Sequence, residues 1–369
     1  MKPLVTFLVP CYKLAHLLPE CIESILNQTY ENFEVLILDD CSPDNTPEVA
    51  QRFTDPRVRY IRHEKNLGHL RNYNAGIALA KGRYVWLISA DDRLRKPYIL
   101  ERYVEKMEQH PKVGYIFCPA VGLEKGQETE VLAFSRFAEQ DRVLEGHEFL
   151  PALLEVNVVP AASGMVRREC YERLGGFPLS MPYGGDWYLW CLFALYYDVA
   201  FLAEPMVCYR QHEGSMTQIL MRESYRICME DDLGVLWTIF REAQASNLTA
   251  VSSQVEGALV REYVRYLSGP HRRSPYAMTV SEWDESLEQR CPVVSERKRI
   301  RARILARLGD EAYWKHEPAR AVGYYRASLA DRLWNPRVLA KTAFLHSGAL
   351  GVRFRSGLSA CYRLFAASK

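Results

Sequence analysis

Three short apolar runs constrain what this chain can fold into. Leu4–Val9, Phe33–Leu38 and Tyr84–Ile88 are rich in β-branched, aliphatic and aromatic residues. Each stops at a polar cluster: Pro10-Cys11-Tyr12-Lys13, Asp39-Asp40-Cys41-Ser42 and Ser89-Ala90-Asp91-Asp92. After the first run, Leu14, Leu17, Leu18, Cys21, Ile22, Ile25 and Leu26 recur at helical spacing. Pro47–Phe53 reads as a helix, Val58–Ile61 as a short strand, and His69–Ala80 as a helix stopped by Gly82. Strands apolar on both faces and separated by helices predict an α/β sheet that is parallel in this half.

The next stretch is less regular. Strands are expected at Val113–Cys118, Ala162–Val166, Val199–Leu202 and Met206–Tyr209, with helices at His147–Val156 and Trp187–Tyr197. From about Thr217 the pattern is helical, broken near Gly269-Pro270, Ser274-Pro275 and Cys291-Pro292. Within it, Leu305–Arg337 has the spacing of one tetratricopeptide-type hairpin, but without a second copy it reads as a plain helical appendage. The expected division is therefore 1–217 and 218–369. The charge distribution agrees with two units that do different things. From Val251 onward 21 Lys/Arg face 11 Asp/Glu, a balance of +10, whereas the first 250 residues carry −8. This asymmetry, around a net charge of only +2, argues against one nucleic-acid-binding surface.

With 369 residues, 48% hydrophobic and 25% charged, collagen-like and disordered classes are excluded. The apolar stretch Leu189–Tyr197 is cut by Asp198, too short to span a bilayer, and residues 1–30 lack the pattern of a secretory signal. A cytoplasmic location is the expectation, and the sequons at Asn27 and Asn247 are then chance matches. None of the 10 cysteines forms a C-x-x-C pair, which excludes the usual zinc and dithiol patterns and leaves small buried hydrophobes.

In open α/β sheets, ligands bind beyond the carboxyl ends of the strands. A single Asp there is commonly a turn or cap residue, a role that suits Asp44 with Asn45. Two acidic pairs at the tips of buried strands repel one another unless a cation or ligand donors compensate them, and hard oxygen ligands favour magnesium or manganese. No G-x-G-x-x-G follows the first strand and no G-x-x-x-x-G-K-[ST] occurs, against dinucleotide and P-loop sites. The glycine-rich loop of sugar nucleotidyltransferases is also missing.

Taken in order, Leu8-Val9-Pro10-Cys11-Tyr12-Lys13, Leu38-Asp39-Asp40-Cys41-Ser42-Pro43-Asp44-Asn45-Thr46, Asn66-Leu67-Gly68 with Arg71-Asn72 and Asn74-Ala75-Gly76, and Ser89-Ala90-Asp91-Asp92 resemble the family 2 glycosyltransferases of the GT-A fold. Gly185-Asp186-Trp187 and Tyr209–Thr217 resemble that family's later motifs, so the resemblance covers residues 1–217. It implies a GT-A type Rossmann-like mixed sheet flanked by helices, followed by a mainly helical C-terminal region. It also implies an inverting, non-processive transfer of one sugar from a nucleoside-diphosphate sugar to a hydroxyl on a glycan, a lipid-linked glycan or a protein. Processive synthases of the family carry a Q-x-x-R-W motif and membrane spans, which do not occur here.

On the same grounds Pro10, Tyr12 and Asp40 are expected around the nucleotide base, Arg71 at the base or diphosphate, and Asp91 towards the ribose. Asp92 and His212 are expected at a Mn2+ or Mg2+ ion, and Arg210 either at phosphate or in a plain ion pair. Asp186 is the expected catalytic base and equally suits a helix N-cap. Trp187 is expected under the acceptor or in the core. Ser89 stands where the family commonly has an acidic residue. This departure supports an alternative, a non-catalytic nucleotide-sugar-binding or scaffold protein. Finally, Leu350–Lys369 mixes apolar and basic residues as an amphipathic helix would, either for peripheral contact with the inner face of a membrane or for packing on the catalytic domain.

Overall fold

The computed structural model describes residues 3–268, 279–332 and 335–346. The chain divides into two compact units, Met1–Val255 and Glu256–Lys369. In the first, β1 (Val5–Cys11), α1 (Leu18–Leu26), β2 (Phe33–Asp39), α2 (Thr46–Ala50), β3 (Val58–Arg62), α3 (His69–Leu79) and β4 (Tyr84–Leu87) alternate as expected. Then come β5 (Arg93–Leu94), α4 (Ile99–Gln109), β6 (Val113–Phe117), β7 (Ala120–Glu124), β8 (Gln127–Val131), β9 (Arg142–Leu144) and α5 (Gly146–Leu153). The unit continues through β10 (Met165–Arg167), α6 (Arg168–Leu174), α7 (Gly185–Tyr196), β11 (Asp198–Phe201), β12 (Val207–Arg210), α8 (Met216–Glu223) and α9 (Tyr225–Ala245).

The main sheet runs β3-β2-β1-β4-β10-β6-β11-β9 and is mixed. Its first four strands are parallel, β10 is antiparallel to both β4 and β6, β11 is parallel to β6, and β9 is antiparallel to β11. Strand β1 does not end at Pro10 but runs on to Cys11, still in register with Leu38 and Asp39 of β2. Proline is tolerated there because pairing with β4 has already ended at Leu8↔Leu87, so its missing N–H costs no ladder bond, and its carbonyl still accepts from Ala90 N at 3.2 Å. The strand expected at Ala162–Val166 starts later: residues 161–163 form a single 3-10 turn.

A second sheet, β5-β12-β7-β8, sets β12 antiparallel to β5 and parallel to β7. Because β5 begins at the residue after Asp92, this pairing brings the far end of β12 beside the acidic pair. The core between β1, β4 and α4 is an aromatic stack. Phe7 and Trp86 lie 5.3 Å apart, Trp86 and Tyr103 4.8 Å. Trp86 Nε1 and Tyr103 Oη donate to the Ala162 and Ser163 carbonyls at 2.9 and 3.1 Å, which anchors the 3-10 turn to the core.

Helix α10 (Thr249–Ser268) runs through the division between the units, and α11 (Val280–Arg290), α12 (Val294–Trp314), α13 (Pro318–Asp331) and α14 (Pro336–His346) belong to the second. Thr279 and Glu282 form a reciprocal capping box at the start of α11. The α12–α13 pair is joined by Lys315–Glu317 and closes around Gly309, whose absent side chain leaves room for the Tyr325 ring. Arg301 of α12 pairs with Asp284 of α11 at 2.7 Å and with Asp331 of α13 at 2.5 Å. Among the described residues no helix is long and apolar enough to cross a membrane. The amphipathic stretch 350–369 lies outside the described residues.

Candidate active site

At the carboxyl end of β2, Asp39 is fully buried and its carboxylate accepts from Ser42 N at 2.7 Å, Tyr60 Oη at 2.5 Å and Arg62 Nη1 at 3.3 Å. It is a structural residue. Asp40, next in sequence, is 3% exposed and accepts one amide on each oxygen, Leu67 N at 2.7 Å and Gly68 N at 2.9 Å. It thereby fixes the start of α3, where Gly68 takes φ 82°, a conformation that favours glycine. Each carboxylate oxygen has a second lone pair, so Asp40 retains acceptor capacity. Pro10 is buried in β1, Tyr12 is exposed beside it with Lys13 Nζ 5.2 Å above its ring, and Arg71 is exposed on the second residue after α3 begins.

A cavity of about 160 Å³ lies past the end of β4, between α3 and α7. Its walls include His69, Tyr73, Ser89, Asp91, Asp92, Asp186, Trp190 and Tyr209. The carboxylates expected to do chemistry, Asp91, Asp92 and Asp186, therefore meet in one place. Asp40 does not line the cavity. It acts on it through Leu67 and Gly68, which precede His69.

The acidic pair is arranged differently from the expectation that joins Asp92 with His212. His212, two residues past β12, places Nε2 2.9 Å from Asp91 Oδ2, and Asp91 Oδ1 is buried without a hydrogen-bond partner among the described residues. Asp92 turns inward, where its Oδ1 accepts Arg210 N at 2.8 Å. Burial and the neighbouring Asp91 charge hold the Asp92 carboxyl well above the usual range. Burial would also raise Asp91, but hydrogen bonding with His212 and Ser89, together with the His212 charge, outweighs it and the carboxyl lies below its ordinary value. The two carboxyls are thus shifted in opposite directions, and the lowered one faces His212.

For Arg210 the sequence leaves phosphate and a plain ion pair open, and the structure places it in the latter. Arg210 is 8% exposed, and its guanidinium donates through Nε to the Asp91 carbonyl at 2.7 Å and pairs with Glu20 of α1. It braces the acidic loop.

Could the pair hold a cation? Among the described residues no group of three His, Cys, Asp or Glu side chains is placed to do so. Two side chains of ligand chemistry are present, however, and one of them, Asp91, has a buried oxygen, Oδ1, other than the one bonded to His212. Mg2+ commonly takes few protein ligands and fills its shell with phosphate oxygens and water. The residues fit.

Asp186 projects from the first turn of α7 into the cavity. Its Oδ2 accepts Asn157 Nδ2 at 3.2 Å and its Oδ1 accepts Trp187 N at 2.7 Å. Burial pushes its carboxyl up to about 6, the range of a general base at neutral pH. Trp187, expected under the acceptor or in the core, is off the cavity: its indole N–H donates to Leu153 O at 2.8 Å. Trp190 lines the wall instead, because residues four apart share a helix face and adjacent ones do not. Sequence reasoning misses His69, Tyr73, Asn157 and Asp231. Only His69, beside Gly68 in one of the motifs, carries a signal that could have singled it out.

A mixed α/β sheet with acidic residues gathered past its central strands, and a further carboxylate lining the same cavity, is the architecture of the GT-A fold. The family model for glycosyl transferase family 2 matches residues 6–175. Glycosyltransferase GlyG of Streptococcus pneumoniae is 36% identical over 115 residues, 31% of this chain and 38% of that protein. Succinoglycan biosynthesis protein ExoO of Rhizobium meliloti is 41% identical over 106 residues, 29% of this chain and 30% of that protein. The chain thus spans well under half the length of these relatives. An uncharacterized glycosyltransferase of Haemophilus influenzae is 28% identical over 230 residues, 60% of this chain and 69% of that protein. In fold, the chain is similar to S. aureus TarS 1–349 in its complex with UDP-GlcNAc, with a TM-score of 0.61 at 17% identity, covering 97% of this chain and 92% of that one.

Proposed function

We propose that this protein transfers a single sugar from a nucleoside-diphosphate sugar to a hydroxyl acceptor with inversion, and that residues 1–217 perform the transfer. The observation that carries the reading is that Asp91 and Asp186, far apart in that region's sequence, line one cavity, every wall residue of which lies at or before Thr217. The acceptor hydroxyl attacks the anomeric carbon from the side opposite the diphosphate. Asp186 takes its proton as the new bond forms, a contribution of ~10²–10⁴-fold for a well-placed base. Asn157 and the Trp187 amide orient the carboxylate while leaving it lone pairs for that proton.

Asp91 and His212 would hold a Mn2+ or Mg2+ ion, which when bound supplies positive charge for the departing diphosphate. Asp40 and the exposed Tyr12 suit the base, and the exposed Arg71 guanidinium suits phosphate oxygens. A UDP-sugar is the first donor to test, in view of the TarS complex with UDP-GlcNAc. The acceptor is a glycan or lipid-linked glycan, as expected for relatives named for polysaccharide assembly such as ExoO. Region 218–369 is assigned to acceptor or membrane association.

The test is release of nucleoside diphosphate from a panel of UDP-, GDP- and dTDP-sugars with Mn2+, with and without glycan acceptors. Turnover that Asp186→Asn abolishes upholds the reading. Donor binding with no turnover by the wild-type chain for any donor–acceptor pair would favour a binding protein and overturn it.

A further inference from the structure

The direction in which Asp186 points is set by the segment between α6 and α7, residues 175–184, which has no helix or strand of its own. Two helices hold it. From α3, Asn74 exchanges a pair of bonds with the Phe177 backbone, Phe177 N to Oδ1 at 2.8 Å and Nδ2 to the Phe177 carbonyl at 2.9 Å. Five residues earlier on the same helix, His69 places Nε2 2.9 Å from the Pro182 carbonyl. A carbonyl only accepts, so Nε2 carries the proton. From the other side, Asp231 of α9 accepts Tyr183 N at 2.6 Å and Gly184 N at 3.1 Å on one oxygen, and it is 4% exposed.

The turn Pro182–Gly184 is therefore gripped at its carbonyl by α3 and at its amides by α9, immediately before α7 begins at Gly185. We infer that His69 is a positioning residue for Asp186: through the Pro182 carbonyl, and together with Asp231, it fixes the turn from which the carboxylate projects. The inference rests on Asp186 being the base. Burial keeps His69 below its usual pKa, so the imidazole stays neutral and its Nε2–H remains available for this bond at neutral pH. The same helix start is tied by Asp40 through Leu67 and Gly68, so the residue expected at the nucleotide base and the residue expected at the acceptor are joined by one short run of hydrogen bonds.

The experiment compares wild type, His69→Ala and His69→Gln, with Asp231→Ala and Asp231→Asn as a second pair. Gln keeps an N–H at the reach of Nε2, and Asn keeps an acceptor oxygen. Steady-state turnover uses the nucleotide sugar that wild type consumes fastest, and amide hydrogen exchange follows the peptide over 181–187. A misplacement near 1 Å costs ~10²-fold, so His69→Ala should lose about 10- to 100-fold in kcat with donor KM within about twofold, and Gln should restore most of it. Exchange at Tyr183 and Gly184 should speed up in both Ala variants and return in Gln and Asn. Unchanged exchange and kcat in His69→Ala, or a rise in KM with kcat unchanged, overturns the inference. Should wild type turn over no donor, faster exchange in His69→Ala reversed in Gln upholds the clamp, and it is the transferase reading that falls.

Discussion

His212 Nε2 lies 2.9 Å from Asp91 Oδ2, although 121 residues separate them in sequence. Two short strands make the contact: β5 leads away from the acidic pair, and β12 pairs with it and delivers His212 back to it. The acid with the orphaned oxygen is thus the one next to the imidazole, while Asp92 is spent on the Arg210 backbone. Removing the imidazole separates these roles. His212→Ala should raise the Mn2+ concentration for half-maximal turnover by at least about tenfold, while Asp92→Asn, which can still accept the Arg210 amide, should raise it much less. A manganese titration of initial rate for the two variants checks this ordering.

The base has its own pH signature. A carboxylate accepts a proton only when ionised, and burial raises Asp186 to about 6. Turnover should therefore fall as pH drops through 6, approaching tenfold per unit below 5, and hold steady from 7 to 8. The sign for stability is opposite. The folded state binds this proton more tightly than the unfolded chain, so ionisation of Asp186 costs stability that is fully felt above pH 6 and relieved as pH falls towards 4. Asp186→Asn should then melt higher than wild type at pH 7, by something on the order of 1–3 kcal/mol, while losing turnover by ~10²–10⁴-fold. Rate–pH profiles and thermal melts at pH 5 and 7 test both halves.

Much of this is legible in the sequence, and the reason is local. β1, β2 and β4 are apolar on both faces because helices cover the sheet, so their sequences are continuous apolar runs that stop where the site begins. The short strands β5, β8 and β9 leave no such trace; Gln127–Val131 is largely exposed and polar, and it pairs only because β7 lies beside it. Pro10 reads as a strand end, since nothing in the sequence says that the neighbouring ladder has already finished. Trp187 and Trp190 look alike on an apolar helix, and only the rotation of α7 shows which one meets the cavity. The grips of His69 and Asp231 join positions 113 and 48 residues apart and follow no short-range pattern.

Gly309 gives a prediction for the second unit. A Cβ at this position would lie 2.5 Å from Tyr325 Cε1, inside the closest face of the α12–α13 pair. Tyr325 cannot swing clear without giving up its hydroxyl bond to Asp310 Oδ1, 2.7 Å. Gly309→Ala gains helix propensity, worth about 1 kcal/mol, but overpacking of this kind costs about 1–3 kcal/mol. A small net loss in urea unfolding is expected, and none in the double variant with Tyr325→Phe if the hydroxyl bond is what pins the ring.

Gly82 sharpens the same argument at the sheet. Its sequence position suggests the stop of α3, yet the helix ends at Leu79 and Gly82 serves a different need. Its N–H donates to Thr6 Oγ1 at 2.8 Å, and a Cβ there would stand 2.5 Å from Thr6 N and 2.7 Å from the Tyr84 carbonyl oxygen. Both obstacles are backbone of β1 and β4, the pair whose ends carry Pro10 and the acidic loop, so neither can yield without shifting strand against strand. Gly82→Ala should cost more than Gly309→Ala, about 3 kcal/mol or above. It should also lower donor affinity, because the displaced strands carry Pro10 and the loop with Asp91 at their far ends. Chemical unfolding and donor titration on the same variant decide the matter: a full loss of stability with unchanged donor affinity would show that the strand ends are held by their loops and not by the sheet.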